Sequence, residues 1–197
     1  IFSTGMSTLS EVQKSMSIMR KSTKKEIIIL HCTTEYPAPY EEMNIRSMTT
    51  LEKKFKCRVG LSDHSLGFES SIAAVTLGAK VLEKHFTINK KLKGPDHQAS
   101  LSPIEIKEYV QVIRNTEDVL GSWKKKPTSS EIKNIPGIRR GVVAARFISK
   151  GSVIKKNMLS FKRPFKNINP FEAKNLVGKV TKKHFKEDEP ITWKYLR

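Results

Sequence analysis

Short apolar runs alternate with longer segments of helical periodicity through the first 121 residues of the chain. The run at 27–30 is continuous and rich in isoleucine, which is typical of a strand that is buried on both faces of a sheet. Strands are predicted at residues 1–4, 27–30, 58–61 and 80–83. Each of them is followed by a helical segment, so the pattern is one of repeated β-then-α units.

The helical segments carry recognisable start signals. Thr8 and Glu11 have the spacing of a capping box, after which apolar residues recur at helical spacing as far as Met19. Ser102 and Glu105 form a second capping box, with proline at the first helical position. Helices are predicted to start at residue 8 and to cover residues 44–55, 68–77 and 102–120.

Four consecutive βα units predict an α/β fold with a parallel sheet, and each unit has the size found in a (β/α)₈ TIM barrel. A complete barrel takes about 250 residues, so residues 1–123 are expected to form only its C-terminal half. The chain starts on an apolar run without a methionine, which agrees with the expectation that it is cut from a longer protein.

The remaining residues predict a linker and a second domain. Residues 124–138 are polar and basic and contain two prolines, which favours a linker. Residues 139–197 contain short strand-like pieces at 141–145 and 152–154, with glycine and proline between them. They are predicted to form a separate small domain that is mostly β or irregular.

The charge balance is strongly basic. The 197 residues include 37 Lys and Arg against 19 Asp and Glu, a formal charge of +18, with +12 of it in residues 131–197. Such a charge attracts anions. The lysines lack interleaved aromatics or a nucleic-acid-binding motif, and no apolar run could span a membrane, so we expect neither a nucleic-acid nor a membrane partner. Two cysteines without a disulfide framework or a CxxC pair indicate the reducing cytoplasm.

Polar side chains follow each predicted strand at its C-terminal end, where parallel α/β folds gather catalytic groups. His64 and His85 lie one βα unit apart, so their imidazoles are expected side by side. The pair could hold a divalent metal with substrate oxygens or waters, or could be two hydrogen-bonded core histidines. Glu83 could orient a ligand, act as acid or base, or pair with a lysine. The loop at 94–101, which carries Asp96, is either an ordinary Gly-Pro turn or part of the same edge.

Several segments closely resemble motifs of the sialic acid synthase family, and they occur in the same order. The segments are Ser-Thr-Gly-Met at 3–6, His-Cys-Thr-Thr-Glu-Tyr-Pro at 31–37, Gly-Leu-Ser-Asp-His at 60–64, Glu-Lys-His-Phe-Thr at 83–87 and Gly-Pro-Asp-His-Gln-Ala-Ser-Leu at 94–101. The stretch 139–164 resembles that family's C-terminal antifreeze-like (SAF) domain. The resemblance covers essentially the whole chain and implies that the first half of the barrel is absent from it.

The resemblance implies an enzyme that condenses phosphoenolpyruvate with N-acetylmannosamine or a related N-acylated sugar and releases phosphate. It implies a divalent metal, Mn²⁺ or Mg²⁺, on His64 and His85, which would polarise the aldehyde of the open-chain sugar. Tyr36 and Asp96 match sugar-contacting positions. Glu83 matches a carboxylate beside the metal and the reacting carbon, so Glu83 and Asp96 are the candidate catalytic residues.

The same resemblance implies further substrate contacts. Ser3, Thr4 and Ser62 match positions that bind the phosphate or carboxylate of phosphoenolpyruvate, and Thr34 matches a position where some relatives carry an amide side chain. Arg163 matches the residue with which the SAF domain reaches the sugar's N-acyl group in the partner subunit's site, a role suited to a planar, permanently charged guanidinium. A domain-swapped homodimer is therefore implied. The family motif continues with glycine after Arg-Pro, whereas this chain has phenylalanine at 165.

Two alternative hypotheses remain at this stage. The chain could be a non-catalytic module that uses residues 131–197 to hold an anionic polymer such as a polysaccharide, in which case binding would fall steeply with salt. It could also be an inactive, truncated synthase. The form of the 94–101 motif resembles N-acetylneuraminate and legionaminate synthases more than pseudaminate synthases, and it does not choose between the first two.

Overall fold

In the computed structural model, which describes residues 1–165 and 168–197, the chain forms two units, Ile1–Trp123 and Lys124–Arg197. The boundary lies where helical periodicity gives way to a run of three lysines. Within the described ranges, no helix has both the length and the apolar character needed to cross a membrane.

The first unit is a parallel sheet whose strands alternate with α-helices. In sheet order the strands are β1 (Phe2–Ser3), β2 (Ile29–Cys32), β3 (Val59–Asp63) and β4 (Leu82–Lys84). The helices that follow them are α1 (Leu9–Ser22), α2 (Ser47–Phe55), α3 (Glu69–Thr76) and α4 (Pro103–Leu120). Strand order follows chain order, as successive βαβ units produce. The predicted α/β fold with a parallel sheet is confirmed.

Side-chain caps start α1 and α4 where the sequence predicts them. The backbone N–H of Thr8 donates to the Glu11 carboxylate at 2.7 Å, and the Thr8 hydroxyl accepts from the Glu11 N–H at 3.4 Å. Ser102 and Glu105 repeat the arrangement at the start of α4. Hydrogen bonds from Lys90 and then Ser102 lower the pKa of Glu105 to about 2. Both caps thus fix the residue at which a helix begins.

One face of the sheet carries the apolar core of the first unit. Ile29, Val59 and Leu61 project from β2 and β3 and are at most 1% exposed, and Met16 of α1 and Met48 of α2 belong to the same buried cluster. A slip of one residue in either strand would turn these side chains to the opposite face. Burial of this face therefore fixes the register of the sheet.

That register also sets the polar rows at the strand ends. Ser62 of β3 is paired with Cys32 of β2 and with Glu83 of β4. One residue further along, Asp63 is paired with Lys84. Because successive side chains in a strand point to opposite faces, the two rows lie on different faces of the sheet.

The second unit has little regular structure. It contains helix α5 (Ser129–Ile138), the antiparallel strands β5 (Gly141–Ala144) and β6 (Leu159–Lys162), and short 3₁₀ turns. Isolated bridges supply further pairing, such as Val153 with Val180. The largest fully buried side chains of its core are Phe185, Ile148, Ile154, Ile168, Leu176 and Ile191.

Residues 129–138, which the sequence pattern favours as linker, form α5 instead. Thr128 and Glu131 make a third capping box, with the Thr128 N–H donating to the Glu131 carboxylate at 2.7 Å. Pro136 stands in the last turn, where its missing N–H costs only one helical hydrogen bond. The linker prediction for residues 129–138 is therefore wrong because of the prolines.

The strand-like piece predicted at 152–154 contributes one bridge, and the sequence pattern does not predict β6.

We expect Phe185→Ala to lower the free energy of unfolding of the second unit by about 3–5 kcal/mol, because it empties a fully buried site. Phe171→Ala is the matched control: its ring is 88% exposed, and we expect a change within about 0.5 kcal/mol. Chemical denaturation followed by circular dichroism measures both. Equal effects of the two substitutions would contradict the assigned core.

Candidate active site

Two imidazoles lie side by side beyond the ends of β3 and β4. His64 directly follows the last residue of β3 and His85 the last residue of β4. Their ring centroids are 5.2 Å apart in an edge-to-face arrangement. The ring of Tyr36 lies against both, with centroid distances of 4.2 Å to His64 and 5.0 Å to His85. The structure thus brings together three of the residues that the sequence singled out.

The protonation of His64 follows from its hydrogen bond to the backbone. Its Nδ1 lies 2.8 Å from the carbonyl oxygen of Thr33, and since a carbonyl only accepts, Nδ1 carries the proton. Burial lowers the pKa of His64 against the opposing effect of the Thr33 hydrogen bond, so the ring is neutral near neutral pH. In this tautomer Nε2 has a lone pair and no proton.

Ser62 connects His64 to the carboxylate of Glu83. The Ser62 hydroxyl donates to Oε1 of Glu83 at 2.7 Å, and its oxygen lies 3.3 Å from Nε2 of His64. A serine has one proton to give, so this bond to Glu83 leaves the Nε2 lone pair of His64 without a donor from Ser62. Within the described ranges Glu83 is exposed and pairs with no lysine, which answers one of the alternatives for this residue.

The loop at 94–101 comes over the same edge of the sheet. Oδ2 of Asp96 lies 3.9 Å from Nδ1 of His85, a distance that becomes an ion pair when the imidazole is protonated. Two contacts anchor the loop: His97 Nδ1 lies 2.8 Å from the Thr87 hydroxyl, and the Ser100 hydroxyl donates to the Asp96 carbonyl at 2.7 Å. The loop is therefore more than a simple turn, because it holds Asp96 beside the histidine pair.

The predicted substrate-binding hydroxyls near β1 and β2 differ in accessibility. Ser3 and Thr34 are exposed, whereas Thr4 is buried and donates its proton to the Leu30 carbonyl at 2.9 Å. A Cβ at Gly5 would lie 2.1 Å from the Thr34 hydroxyl oxygen, so a larger residue at this position would force the threonine side chain to move. Ser3 and Thr34 can thus donate to a ligand, while the proton of Thr4 is committed to the backbone.

Burial also changes the chemistry of Tyr36. It raises the pKa of the Tyr36 hydroxyl, and the nearby carboxylates of Asp96 and Glu83 act in the same direction. The phenol therefore stays protonated at neutral pH and can donate a hydrogen bond.

Arg163 lies in the second unit, directly after β6, and its side chain is exposed. Phe165, at the position where the family motif has glycine, is half-buried, and its N–H donates to the carbonyl of Pro136 at 3.0 Å. The turn that carries Arg163 is thus tied to α5 through the backbone of Phe165.

Sequence reasoning missed a buried ion pair next to the histidines. Lys84 Nζ lies 3.0 Å from Oδ2 of Asp63, and the two side chains are 4% and 0% exposed. The sequence did contain a signal: an acidic residue, Asp63, precedes His64, and a basic residue, Lys84, precedes His85. In the parallel sheet these two residues are paired.

No group of three or more His, Cys, Asp or Glu side chains in residues 1–165 and 168–197 is arranged to hold a metal ion. Any metal at this edge would therefore need further ligands besides His64 and His85. The Nε2 lone pair of His64 fits such a role, because its Nδ1–H is fixed by a backbone carbonyl, as is usual for metal-binding histidines.

Comparisons with known proteins identify the family of the chain. Residues 1–125 match the NeuB family model and residues 139–197 match the SAF domain model. The chain is 44% identical over 193 residues to the N,N'-diacetyllegionaminic acid synthase of Campylobacter jejuni, covering 97% of this chain and 58% of that protein. It is 36% identical over 194 residues to human N-acetylneuraminate-9-phosphate synthase, covering 97% of this chain and 54% of that protein.

The chain is also similar to a solved structure. The N-acetylneuraminic acid synthetase of Leptospira borgpetersenii, in complex with citrate, superposes with a TM-score of 0.60 at 35% identity, covering 68% of this chain and 46% of that one. The chain spans just over half the length of the curated relatives it matches. The family match covers more than half of the chain, and the relatives align along nearly all of it. The chain therefore belongs to the NeuB family, with a SAF domain over residues 139–197.

Proposed function

We propose that this chain carries part of the active site of a synthase that condenses phosphoenolpyruvate with an N-acylated amino sugar and releases phosphate. The observation that carries the proposal is the pair His64 and His85 at the ends of adjacent parallel strands, 5.2 Å apart and covered by Tyr36. The relatives named as legionaminic acid and N-acetylneuraminate-9-phosphate synthases support the same chemistry.

We also propose that the sheet of the first unit is part of a (β/α)₈ barrel. Its strands are parallel, follow chain order and end in polar side chains at one edge, as barrel strands do. The relatives are nearly twice as long as this chain, so they have room for the other strands. Further strands would cover the outer edges of β1 and β4, which have no partner beyond them in the described sheet.

A divalent cation, Mn²⁺ or Mg²⁺, would be held by His64 and His85. When bound it would supply Lewis-acid polarisation of the sugar aldehyde. Carboxylate, carbonyl and water oxygens from the substrates and solvent would complete an oxygen-rich ligand set, which suits these two metals. The neutral state of His64, favoured by burial, keeps its Nε2 lone pair available at neutral pH.

The remaining side chains can divide the work of the reaction. The C2=C3 electron pair of phosphoenolpyruvate forms the new bond to the aldehyde carbon, and the aldehyde oxygen takes up a proton to become a hydroxyl. Water adds at C2, and phosphate leaves as its C2–O bond breaks. Glu83, exposed and held by Ser62, can take the proton of the attacking water. Asp96 and the protonated Tyr36 lie where they can hold hydroxyl groups of the sugar beside His85.

We assign the anionic ends of phosphoenolpyruvate to the hydroxyl-rich edge formed by the ends of β1, β2 and β3. Ser3 and Thr34 have exposed hydroxyls. The Ser62 hydroxyl donates to Glu83, so it would have to turn away from that carboxylate to donate to an anion. Thr4 can take part mainly through its backbone, since its hydroxyl proton already goes to the Leu30 carbonyl. We place this chemistry in the cytoplasm, where free thiols such as Cys32 and Cys57 persist.

We further propose that the protein acts as a homodimer in which Arg163 serves the site of the partner. An exposed guanidinium directly after β6 can present its planar donors to an N-acyl carbonyl. Half-buried Phe165 stands where the family motif has glycine, so we expect the shape of the loop around Arg163 and the acyl-group preference to depart from the family pattern.

The synthase proposal is tested by phosphate release from phosphoenolpyruvate in the presence of Mn²⁺ and N-acetylmannosamine or a diacetamido sugar. The chain is assayed alone and joined to the upstream half of its barrel. We expect His85→Ala to lower the rate at least about 100-fold, since Lewis-acid stabilisation contributes several kcal/mol. The matched control His184→Ala, an exposed histidine of the second unit, should keep the full rate.

Failure of the complete protein with both sugars would refute the synthase proposal. Binding of an anionic polysaccharide that weakens steeply with salt and is unaffected by His85→Ala would instead favour the basic binding module.

The pH dependence of stability follows from His64. Its folded-state pKa lies below the unfolded value of about 6.5, so the unfolded chain binds more protons as the pH falls through this region. The contribution of neutral His64 to the free energy of unfolding is therefore fully present above about pH 6.5 and is lost as the pH falls below that value. Urea unfolding between pH 8 and pH 5 should therefore show a smaller decline for His64→Gln than for the unaltered chain, while His184→Gln keeps the original decline. An unchanged slope in His64→Gln would contradict the burial effect.

Domain exchange is tested by mixing two inactive variants of the complete protein, His85→Ala and Arg163→Ala. If each site combines His85 of one subunit with Arg163 of the other, mixed dimers regain one intact site, and an equal mixture recovers about a quarter of the original activity. If both residues served the same subunit, no mixed dimer would contain an intact site. Phosphate release after subunit exchange distinguishes the two arrangements.

A further inference from the structure

An ion pair is buried directly behind the two histidines. Asp63 is the last residue of β3 and Lys84 the last residue of β4, so each immediately precedes one of the imidazoles. Their charged groups are 3.0 Å apart and almost wholly excluded from solvent. Removing two charges from water is costly, and replacing such a pair by apolar side chains is often neutral or stabilising. The position of this pair therefore asks for a reason other than core packing.

The carboxylate of Asp63 is fully satisfied by donors from the following segment. Its Oδ1 accepts from the N–H of Ser65 at 2.9 Å and from the Ser65 hydroxyl at 2.7 Å. Its Oδ2 accepts from the Ser71 hydroxyl at 2.6 Å, besides its contact with Lys84. The backbone on both sides of His64 is thus held to a single carboxylate.

Lys84 makes a second contact with the same segment. Its Nζ donates to the carbonyl oxygen of Ser65 at 2.7 Å, in addition to pairing with Asp63. The ammonium group of Lys84 therefore contacts residues 63 and 65, on either side of His64. Lys84 itself is the residue before His85, so these contacts form a clamp that connects the two strand ends. Side chains one residue apart in a strand point to opposite faces, so the clamp fixes the histidines without entering their site.

We propose that Asp63 and Lys84 are positioning residues that set the spacing and orientation of His64 against His85. The clamp joins the two strand ends at the last residue before each imidazole, where a small change in register would change the distance between the rings. The importance of that spacing for metal and substrate rests on the proposed function, whereas the spacing itself does not. A hydrogen-bonded ion pair suits this role better than an apolar contact, because its donors and acceptors must meet in a defined geometry, whereas apolar surfaces can slide past each other.

The test compares three variants with a matched control. Asp63→Asn removes the charge with little change of shape, Lys84→Met removes the ammonium and keeps most of the stem, and the double variant leaves no unpaired buried charge. Tyr109→Phe is the control, because the Tyr109 hydroxyl donates to Ser71 at the far side of the network and does not touch Asp63. Like the others, it deletes a buried polar contact.

The first readout needs no metal. Carbon-13 labelling of histidine Cε1 allows nuclear Overhauser contacts between the His64, His85 and Tyr36 rings to be followed in the intact chain. We expect these contacts in the unaltered chain and in Tyr109→Phe, and their loss in Lys84→Met and in the double variant. Retention of the ring contacts in a folded Lys84→Met or double variant would overturn the proposal. A double variant that does not fold would also overturn it, because the pair would then be a requirement of the fold.

The second readout adds Mn²⁺ alone and follows paramagnetic broadening of the same histidine signals. We expect His64 and His85 to broaden together, and the Mn²⁺ concentration needed to rise by about tenfold or more in Lys84→Met, as for other residues that orient metal ligands. Tyr109→Phe should need the original concentration. Absence of broadening in the unaltered chain would remove the metal assignment, while the ring contacts would still decide the positioning role.

Discussion

The parallel register between β3 and β4 is the constraint on which the rest of the first unit depends. Leu61 is paired with Leu82, and the residues that follow pair in the same order, so successive rows alternate between the two faces of the sheet. The apolar row is pinned by burial against the helices, with Leu61 wholly inaccessible. Once it is fixed, the polar row of Ser62 and Glu83 must face the opposite side. Burial of the apolar row thus determines the face of the sheet on which the candidate site lies.

A parallel sheet reveals much of itself in sequence because its strands are short apolar runs and its helices start with capping boxes. The strands predicted at 27–30 and 58–61 overlap β2 and β3, which begin one or two residues later and end two residues later. This displacement arises because the polar residues that end each strand, such as Cys32 and Asp63, still belong to the ladder. The apolar pattern in the sequence marks only the buried part of a strand, whereas the backbone hydrogen bonds continue into the polar residues at its C-terminal end.

The second unit could be predicted less well, because most of its pairing consists of single bridges between distant segments. No local period marks such contacts. Helix α5 shows a different failure. The linker prediction rests on two prolines, yet one of them precedes the helix and the other stands in its last turn. Where a proline stands in a helix decides its cost, and composition alone does not carry that information.

In the candidate site, the positions of His64, His85 and Glu83 could be predicted from strand ends, but their hydrogen-bond partners could not. The sequence does not single out Asp63 and Lys84, because charged residues at strand ends are ordinarily exposed, whereas here Ser65 and Ser71 contact the Asp63 carboxylate and both charged side chains are buried. The resemblance implies a substrate contact for Thr4, but it carries no information on the hydrogen bond that its hydroxyl donates to the Leu30 carbonyl. Which way a polar side chain turns depends on tertiary neighbours that are remote in sequence.

An inventory of protons shows what the site lacks. The Nδ1 proton of His64 is given to Thr33, and the proton of Ser62 is given to Glu83. The Nε2 lone pair of His64 and the carboxylate of Glu83 are left on the same side as the Asp96 carboxylate near His85. These groups all donate electron pairs, and the unit that holds them brings no cationic side chain into contact with them. Carboxylates and an unprotonated imidazole nitrogen accept hydrogen bonds from sugar hydroxyls, and the same groups are ligand types for a divalent cation. The two roles proposed for this edge of the sheet therefore draw on the same electron pairs.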